Sequence, residues 1–241
     1  MKVLWSAALL YFLTLACTKT PNMPATDSTS KPTITPVSGK EISYLALGDS
    51  YTIGESVKQV ESFPYQLQSL LKTEGINVNT PRIIATTGWT TSELQSAIVQ
   101  TKLNQKFDFV TLLIGVNNQY RGNSIITYKK EFAELLQTAI SFANGDKSKV
   151  FVISIPDWGV TPFGKNSGKN QQSIAKEIDD FNTANQEITI AAGVSYTNIT
   201  PESRNATQDL SLIANDGLHP SAKMYGEWAS ALKPKVVAAL K

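Results

Sequence analysis

The chain has 241 residues, of which 41% are hydrophobic and 17% are charged, and its formal net charge is +2. This length suits one domain with a full hydrophobic core, and the near-neutral charge argues against a nucleic-acid-binding protein. The chain contains a single cysteine, which excludes an internal disulfide bond.

The N-terminal segment has the features of an export signal. Lys2 provides a positive charge, and Val3 to Leu15 form an apolar run that is shorter than the roughly 20 residues of a membrane-spanning helix. Cys17 follows this run and resembles the lipobox cysteine of bacterial lipoproteins, although Thr14 occupies a position where leucine is usual. We therefore predict a signal peptide over residues 1–17 and a lipid anchor on Cys17. The alternative is an ordinary secretory signal with an incidental cysteine.

The lipobox resemblance implies an exported protein that is anchored to the bacterial outer membrane or faces the periplasm. Residues 18–41 contain four prolines, many threonines and serines, and no aromatic residue. Such a composition buries too little apolar surface to order itself, so we predict a flexible linker between the membrane and a domain over residues 42–241.

In the domain, short apolar runs alternate with longer segments of helical periodicity. The runs predict five strands over 43–47, 82–86, 108–114, 149–155 and 194–199. The periodic segments and their capping residues predict helices over about 63–75, 91–102, 124–143, 171–192 and 221–240. We expect a loop from Pro156 to Asn170, and we expect Pro234 to end or kink the last helix. The alternation predicts an α/β fold in which a five-stranded parallel sheet is covered by helices on both faces.

Polar residues follow several of the predicted strands. Because ligands bind beyond the carboxyl ends of such strands, these loops are expected to form one site. Ser50 follows the first strand, and the chain's only histidine, His219, is the only conventional base available to activate it. Asp216 lies three residues before His219, close enough for a turn to bring its carboxylate to the other ring nitrogen. The backbone N–H groups of Ser50 and Gly88 and the side chain of Asn117 are candidate donors to an oxyanion.

These motifs resemble those of the SGNH, or GDSL-type, hydrolases of the esterase and lipase class. Gly48-Asp49-Ser50, Gly88, Gly115-x-Asn117 and Asp216-x-x-His219 occur in the order of that family, over about residues 42–241. The resemblance implies that Ser50 is the nucleophile, that Asp216 and His219 are the acid and base, and that Ser50, Gly88 and Asn117 form the oxyanion hole. The resemblance also implies a five-stranded parallel α/β/α sandwich.

Two residues depart from the family pattern. Tyr51 replaces a common leucine, and Asn118 replaces a usual aspartate, so both are expected to alter the pocket wall rather than the reaction. Trp89, Tyr120 and Trp158 lie in or near the same loops and are further candidates for substrate binding, with packing beneath the loops as the alternative. The chemistry requires no cofactor and no metal ion.

We predict a lipid-anchored serine esterase that hydrolyses a small-molecule, lipid or glycan ester through an acyl-enzyme. One alternative is an exported lipoprotein that binds a glycan or lipid on the same fold without turnover. Another is a flavodoxin-like domain that binds a phosphate group. The residues leave the acyl and alcohol parts of the substrate open, as well as the oligomeric state.

Overall fold

The computed structural model describes residues 40–241, and a five-stranded parallel sheet runs through them in the order β2-β1-β3-β4-β5. The strands are β1 (Tyr44–Gly48), β2 (Arg82–Ala85), β3 (Phe109–Leu113), β4 (Val150–Ile153) and β5 (Ser195–Thr197). All four neighbouring pairs are parallel. The predicted parallel α/β fold is therefore confirmed.

The three middle strands form the centre of the hydrophobic core. Every residue of β1, β3 and β4 is buried, as expected for strands that are covered by helices on both faces. The sequence of β3, in which Thr111 is the one polar residue and polar and apolar residues do not alternate, is typical of a central strand, and β3 indeed pairs with both β1 and β4.

Nine α-helices surround the sheet in the described part of the chain. They are α1 (Ser50–Ile53), α2 (Phe63–Thr73), α3 (Thr91–Thr101), α4 (Val116–Tyr120), α5 (Ile125–Phe142), α6 (Pro162–Asn166), α7 (Gln171–Ala191), α8 (Thr200–Arg204) and α9 (Ala222–Leu240). Helix α2 packs against α9, whereas α5 packs against both α3 and α7. These two groups supply the outer layers of the α/β/α sandwich.

The segment from Pro156 to Asn170 differs from the predicted loop because it contains a 3₁₀ turn, Trp158–Val160, and helix α6. The Thr161 hydroxyl accepts a hydrogen bond from the Gly164 N–H at 3.1 Å, and Pro162 occupies the first turn of α6. A helix of five residues is too short to show hydrophobic periodicity, so this element escaped the sequence pattern.

The expectation for Pro234 is also wrong in part, because α9 does not end there and continues to Leu240. Proline removes one backbone hydrogen bond of a helix, here the bond to the Ser230 carbonyl. Leu232 and Val236 on either side of Pro234 are fully buried, and α9 packs along α2. This packing holds the helical backbone beyond the proline.

Strands β1, β2, β3 and β4 lead at their carboxyl ends to the segments that carry Ser50, Gly88, Asn117 and Trp158. Parallel pairing places these ends on one edge of the sheet. Gly48 is the last residue of β1, and a Cβ atom there would lie 2.4 Å from the Leu113 carbonyl oxygen of β3. Glycine at this position therefore allows the close approach of the two strands directly before Ser50.

Candidate active site

Three side chains from distant parts of the chain form a continuous hydrogen-bonded series. The Ser50 hydroxyl lies 2.9 Å from His219 Nε2, and His219 Nδ1 lies 2.6 Å from Asp216 Oδ2. In this arrangement one ring nitrogen is available to accept the serine proton, while the other is held by a carboxylate. The structure thus brings together the three residues that sequence analysis proposed as nucleophile, base and acid.

The turn after β1 determines the position of Ser50. The Asp49 side chain caps the short helix α1 by accepting a hydrogen bond from the Tyr51 N–H at 3.0 Å. Ser50 is only 3% exposed, but it lines a cleft that also contains His219. The nucleophile candidate is therefore at the floor of the cleft, where little water surrounds its hydroxyl.

A tight turn shapes the acid–base pair. Asp216 Oδ1 accepts hydrogen bonds from the backbone N–H groups of Leu218 and His219 at 2.9 and 3.0 Å, and Gly217, between Asp216 and Leu218, has a φ of +73°. Partial burial raises the pKa of Asp216, but the hydrogen bonds from the His219 side chain, these two N–H groups and Ser56 outweigh it and lower the pKa to about 2. Asp216 is therefore an anion at neutral pH.

Three candidate donors to an oxyanion line the same cleft, namely Ser50, Gly88 and Asn117. Within residues 40–241, the backbone N–H groups of Ser50 and Gly88 have no hydrogen-bond acceptor in the protein. Asn117 Nδ2 donates to the Trp89 carbonyl at 3.0 Å and has a long contact of 3.4 Å to Asp49 Oδ2. Since Nδ2 carries two hydrogens and the second contact is weak, one hydrogen is available to a substrate oxygen.

The loop that carries Gly88 is held from two directions. Arg121 donates to the Gly88 carbonyl at 2.5 Å and pairs with Glu93 at 3.1 Å. On the other side, the Thr87 hydroxyl donates to the Glu55 carboxylate. Gly88 itself has a φ of +85°, a conformation that glycine adopts without strain. These contacts fix the direction of the Gly88 N–H before a substrate arrives.

The cleft over Ser50 has a volume of about 170 Å³. Its wall is formed mostly by apolar and aromatic side chains. The lining residues are Ser50, Tyr51, Thr87, Gly88, Val116, Asn117, Tyr120, Trp158, Phe163, Leu218 and His219. Typical sites for drug-sized ligands occupy about 300–1,000 Å³, so this cleft suits a small substrate group.

An aromatic cluster forms one side of this cleft. The centroids of the Tyr120 and Trp158 rings lie 5.2 Å apart, and the Phe163 centroid lies 6.3 and 6.0 Å from them. Trp158 is buried and donates through Nε1 to Gln119 at 2.7 Å, whereas Tyr120 and Phe163 are 42% and 39% exposed. Lys169 Nζ lies 4.7 Å from the Tyr120 ring centroid. Trp158 is therefore a fixed wall, and the other two rings form the outer rim.

Two of the residues that sequence analysis proposed for substrate binding do not line the cleft. Asn118 is fully buried, where it accepts from the Thr91 N–H at 3.0 Å and donates to the Thr91 hydroxyl at 2.7 Å. Its short amide side chain thereby ties α4 to the start of α3. Trp89 instead borders a separate groove along α3, while its carbonyl group orients Asn117. Tyr51, Tyr120 and Trp158 do line the cleft.

Several residues at the site were not predicted from the sequence. Phe163 lies in the predicted loop from Pro156 to Asn170, and Leu218 lies within the Asp216-x-x-His219 motif. An apolar side chain next to polar site residues was the feature that could have indicated each as part of the cleft wall. No sequence motif indicated Arg121 or Ser56, because each acts through a hydrogen bond to a residue far away in the chain. Ser56 contacts Asp216, which is 160 residues further along the sequence.

The buried carboxyl group of Asp49 has an unusual titration. Burial raises the pKa of Asp49 to about 7, although hydrogen bonds from the Tyr51 N–H and Asn117 oppose this shift. Because the pKa in the folded protein lies above the unfolded value of 3.8, the stability associated with this group is complete below pH 4 and is lost as the pH rises through 7.

We expect Asp49→Asn to remove this part of the pH dependence. An asparagine retains a side-chain oxygen for the Tyr51 N–H but does not ionise. The free energy of unfolding of the variant, relative to wild type, is expected to rise between pH 4 and 7 and to level off above pH 7. Urea unfolding across this range measures the difference. Asp146→Asn, at an exposed site, is the control, and equal pH slopes for wild type and Asp49→Asn would contradict the expectation.

A second depression of about 460 Å³ lies beyond the amino ends of the strands, near Lys40 and Lys241. Four of its charged side chains are paired, Lys40 with Asp108 and Lys241 with Glu74, and Lys149 donates to the Ala239 carbonyl. Residues 40–241 contain no group of three His, Cys, Asp or Glu side chains arranged to hold a metal ion.

The chain also matches the model of the family that its motifs resemble. The model of the GDSL-like lipase/acylhydrolase family matches residues 46–226, which is more than half of the chain. The chain belongs to this family. Its membership supports hydrolase activity, and ester hydrolysis in general. The matched range includes Ser50, Gly88, Asn117, Asp216 and His219.

Several solved structures share the fold. TesA superposes with a TM-score of 0.64 at 17% identity, covering 82% of this chain and 99% of its own. The acetylxylan esterase Axe2 from Geobacillus stearothermophilus gives 0.63 at 16% identity, covering 81% and 94%. A lipase/acylhydrolase from Enterococcus faecalis gives 0.61 at 20% identity, covering 82% and 96%. A search of curated protein sequences finds no significant match.

The predicted signal peptide, Cys17 and almost the whole predicted linker lie outside the described residues. Between residues 40 and 241, no helix has both the length and the apolar character needed to cross a bilayer.

Proposed function

We propose that this protein is a carboxylic ester hydrolase that acts through a covalent acyl-enzyme on Ser50. The observation that carries the proposal is the series from Ser50 through His219 to Asp216 inside a cleft, with contacts of 2.9 and 2.6 Å. A nucleophile, a base and an orienting carboxylate within hydrogen-bond reach are the groups that acyl transfer requires.

In the proposed mechanism, Ser50 Oγ attacks the ester carbonyl carbon while His219 Nε2 accepts the hydroxyl proton. The oxyanion of the tetrahedral intermediate accepts hydrogen bonds from the Ser50 and Gly88 N–H groups and from Asn117 Nδ2. The intermediate then collapses, and the leaving alcohol takes the proton from His219. A water molecule, deprotonated by His219, attacks the acyl-enzyme and releases the carboxylic acid with Ser50 restored.

A fluorophosphonate tests the proposal directly, because it reacts preferentially with an activated serine. We expect one phosphonyl group per molecule, located on the peptide that contains Ser50, and no label on Ser50→Ala. An unlabelled Ser50 in folded protein would overturn the proposal and would favour the alternative of a binding protein without turnover.

The dimensions of the cleft support a short acyl group as the preferred substrate part. The volume is about 170 Å³, and the buried ring of Trp158, anchored to Gln119, closes one side. Asp157 beside it is also buried and pairs with Arg204 at 2.9 Å, so the segment that carries Trp158 is held rigidly. A long acyl chain would have to displace these fixed groups.

Phe163→Ala is expected to shift the acyl preference toward longer chains. For wild type, kcat/KM for p-nitrophenyl esters should be highest for acetate or propionate and lower, on the order of tenfold, for octanoate. Removal of the Phe163 ring from the outer rim should reduce the ratio of kcat/KM for acetate to kcat/KM for octanoate severalfold. Ile126→Ala, which removes a side chain that is 78% exposed on α5, is the matched control. A wild-type preference for octanoate would contradict the assignment of a short acyl group.

We also propose that the protein is exported and held at a membrane through a lipid on Cys17. The support is the apolar run that precedes this single cysteine. Metabolic labelling with a fatty acid, compared between wild type and a variant that lacks the cysteine, is the measurement that tests it.

A further inference from the structure

Among residues 40–241, Ser56 makes the one side-chain hydrogen bond to Asp216 that lies outside the proposed catalytic series. Its hydroxyl donates to Asp216 Oδ2 at 2.7 Å, the same oxygen that accepts from His219 Nδ1 at 2.6 Å. Asp216 Oδ1 is occupied by the Leu218 and His219 N–H groups. A carboxylate offers about four acceptor positions, and Ser56 fills the last of them.

The backbone of Ser56 is in a conformation that serine rarely adopts. Its φ is +65°, and the only other non-glycine residues with positive φ among residues 40–241 are Lys102 and Asn144. Lys102 ends α3, and Asn144 follows shortly after α5, positions where a left-handed residue is common. Ser56 is exposed and ends no helix, because Gly54 already terminates α1. Strain at an exposed residue with no packing role points to a functional contact.

The segment around Ser56 connects three parts of the site. It follows the helix that begins with Ser50, and its turn is closed by a bond of 3.3 Å from the Val57 N–H to the Gly54 carbonyl. Glu55 accepts from Thr87 beside Gly88, while Ser56 donates to Asp216. The left-handed backbone at Ser56 lets consecutive side chains reach the oxyanion loop and the acid.

We propose that Ser56 is a positioning residue, held in a strained backbone conformation so that its hydroxyl orients Asp216 and limits the negative charge that Asp216 presents to His219. This inference rests on the proposed serine esterase function. Ser56 acts through Asp216 and does not contact the substrate, since it does not line the cleft.

Loss of the Ser56 hydroxyl is expected to change the pH dependence of kcat/KM. Without the Ser56 hydroxyl, Asp216 directs more negative charge at the ring, which stabilises the protonated form of His219. The acidic limb of kcat/KM then moves to higher pH. The substitutions at Ser56 keep the other ionisable side chains that interact with this pair, Tyr51 and Tyr225, and the carboxyl groups that act on those tyrosines, Asp49, Glu55 and Asp157.

Two substitutions separate positioning from backbone strain. Ser56→Gly removes the hydroxyl and relieves the positive φ, so we expect kcat/KM to fall roughly tenfold, the acidic limb to move up, and the melting temperature to stay equal or rise. Ser56→Thr keeps the hydroxyl but places a β-branched residue in a left-handed conformation. We expect it to lower the melting temperature while retaining the wild-type acidic limb and more activity than Ser56→Gly.

Lys102→Gly is the matched control, because it relieves a positive φ at an exposed site on another element without removing a contact to the acid. It should raise the melting temperature and leave kcat/KM and its pH profile unchanged. If activity follows stability across these variants, or if Ser56→Gly has the wild-type acidic limb, the proposal for Ser56 is overturned. Ser50→Ala, assayed in parallel, separates the proposed esterase function from the proposed role of Ser56. Activity in Ser50→Ala refutes the esterase function. An inactive Ser50→Ala together with wild-type activity and pH profile in Ser56→Gly refutes only the role of Ser56.

Discussion

Ser50→Ala is expected to lower kcat for p-nitrophenyl acetate by at least about 10⁴-fold while the protein stays folded. The hydroxyl is the proposed nucleophile, and among residues 40–241 no other serine makes a hydrogen bond to His219 Nε2, which lies 2.9 Å from Ser50 Oγ. Within the described residues, this is also the only hydrogen bond of the Ser50 side chain, so its loss frees one group, His219 Nε2, which faces the cleft. Steady-state kinetics together with circular dichroism and thermal unfolding measure both effects.

Ser96→Ala is the control for a change of the same size. Ser96 is exposed on α3, and its hydroxyl bonds only to the Ser92 carbonyl of the same helix. This variant should keep wild-type kinetics. Hydrolysis by Ser50→Ala at the wild-type rate would rule out the assignment of the nucleophile.

Asp216→Asn is expected to lower kcat by about 10³–10⁴-fold with a small change in KM. The carboxylate accepts from His219 Nδ1 at 2.6 Å, which leaves Nε2 without a proton and able to accept the proton of Ser50. An asparagine amide would donate to Nδ1 and favour the tautomer with its proton on Nε2. That proton would face the Ser50 hydroxyl, so the ring could not act as a base.

Asp209→Asn provides a closely matched control. Asp209, like Asp216, accepts from the backbone N–H two residues later, at 2.9 Å, and hydrogen bonds from Lys223 and Ser211 lower its pKa to about 2. It belongs to another turn and does not line the cleft. We expect both variants to lose stability at neutral pH, but only Asp216→Asn to lose activity. An active Asp216→Asn would contradict the orienting role.

Local signals in the sequence predicted most of the fold. The pattern Thr90-x-x-Glu93 is typical of a capping box, and the Thr90 N–H indeed donates to Glu93 at 2.7 Å at the start of α3. Such contacts span three or four residues and depend little on the rest of the molecule. Ser62 shows the limit of this reasoning: it occupies the N-cap of α2, but its hydroxyl donates to the Gln59 carbonyl instead of capping the helix.

The sequence by itself determined the parallel sheet, its central strand and the chemical groups that follow the strands, because hydrophobic periodicity and capping are properties of short segments. Only the tertiary structure decided how those groups meet. It placed Phe163 and Trp158 in the wall of the cleft, turned Asn118 into the interior, and brought Ser56 to Asp216. These arrangements join residues that lie tens to more than a hundred positions apart, and the packing of the folded chain selects them, so no local pattern records them.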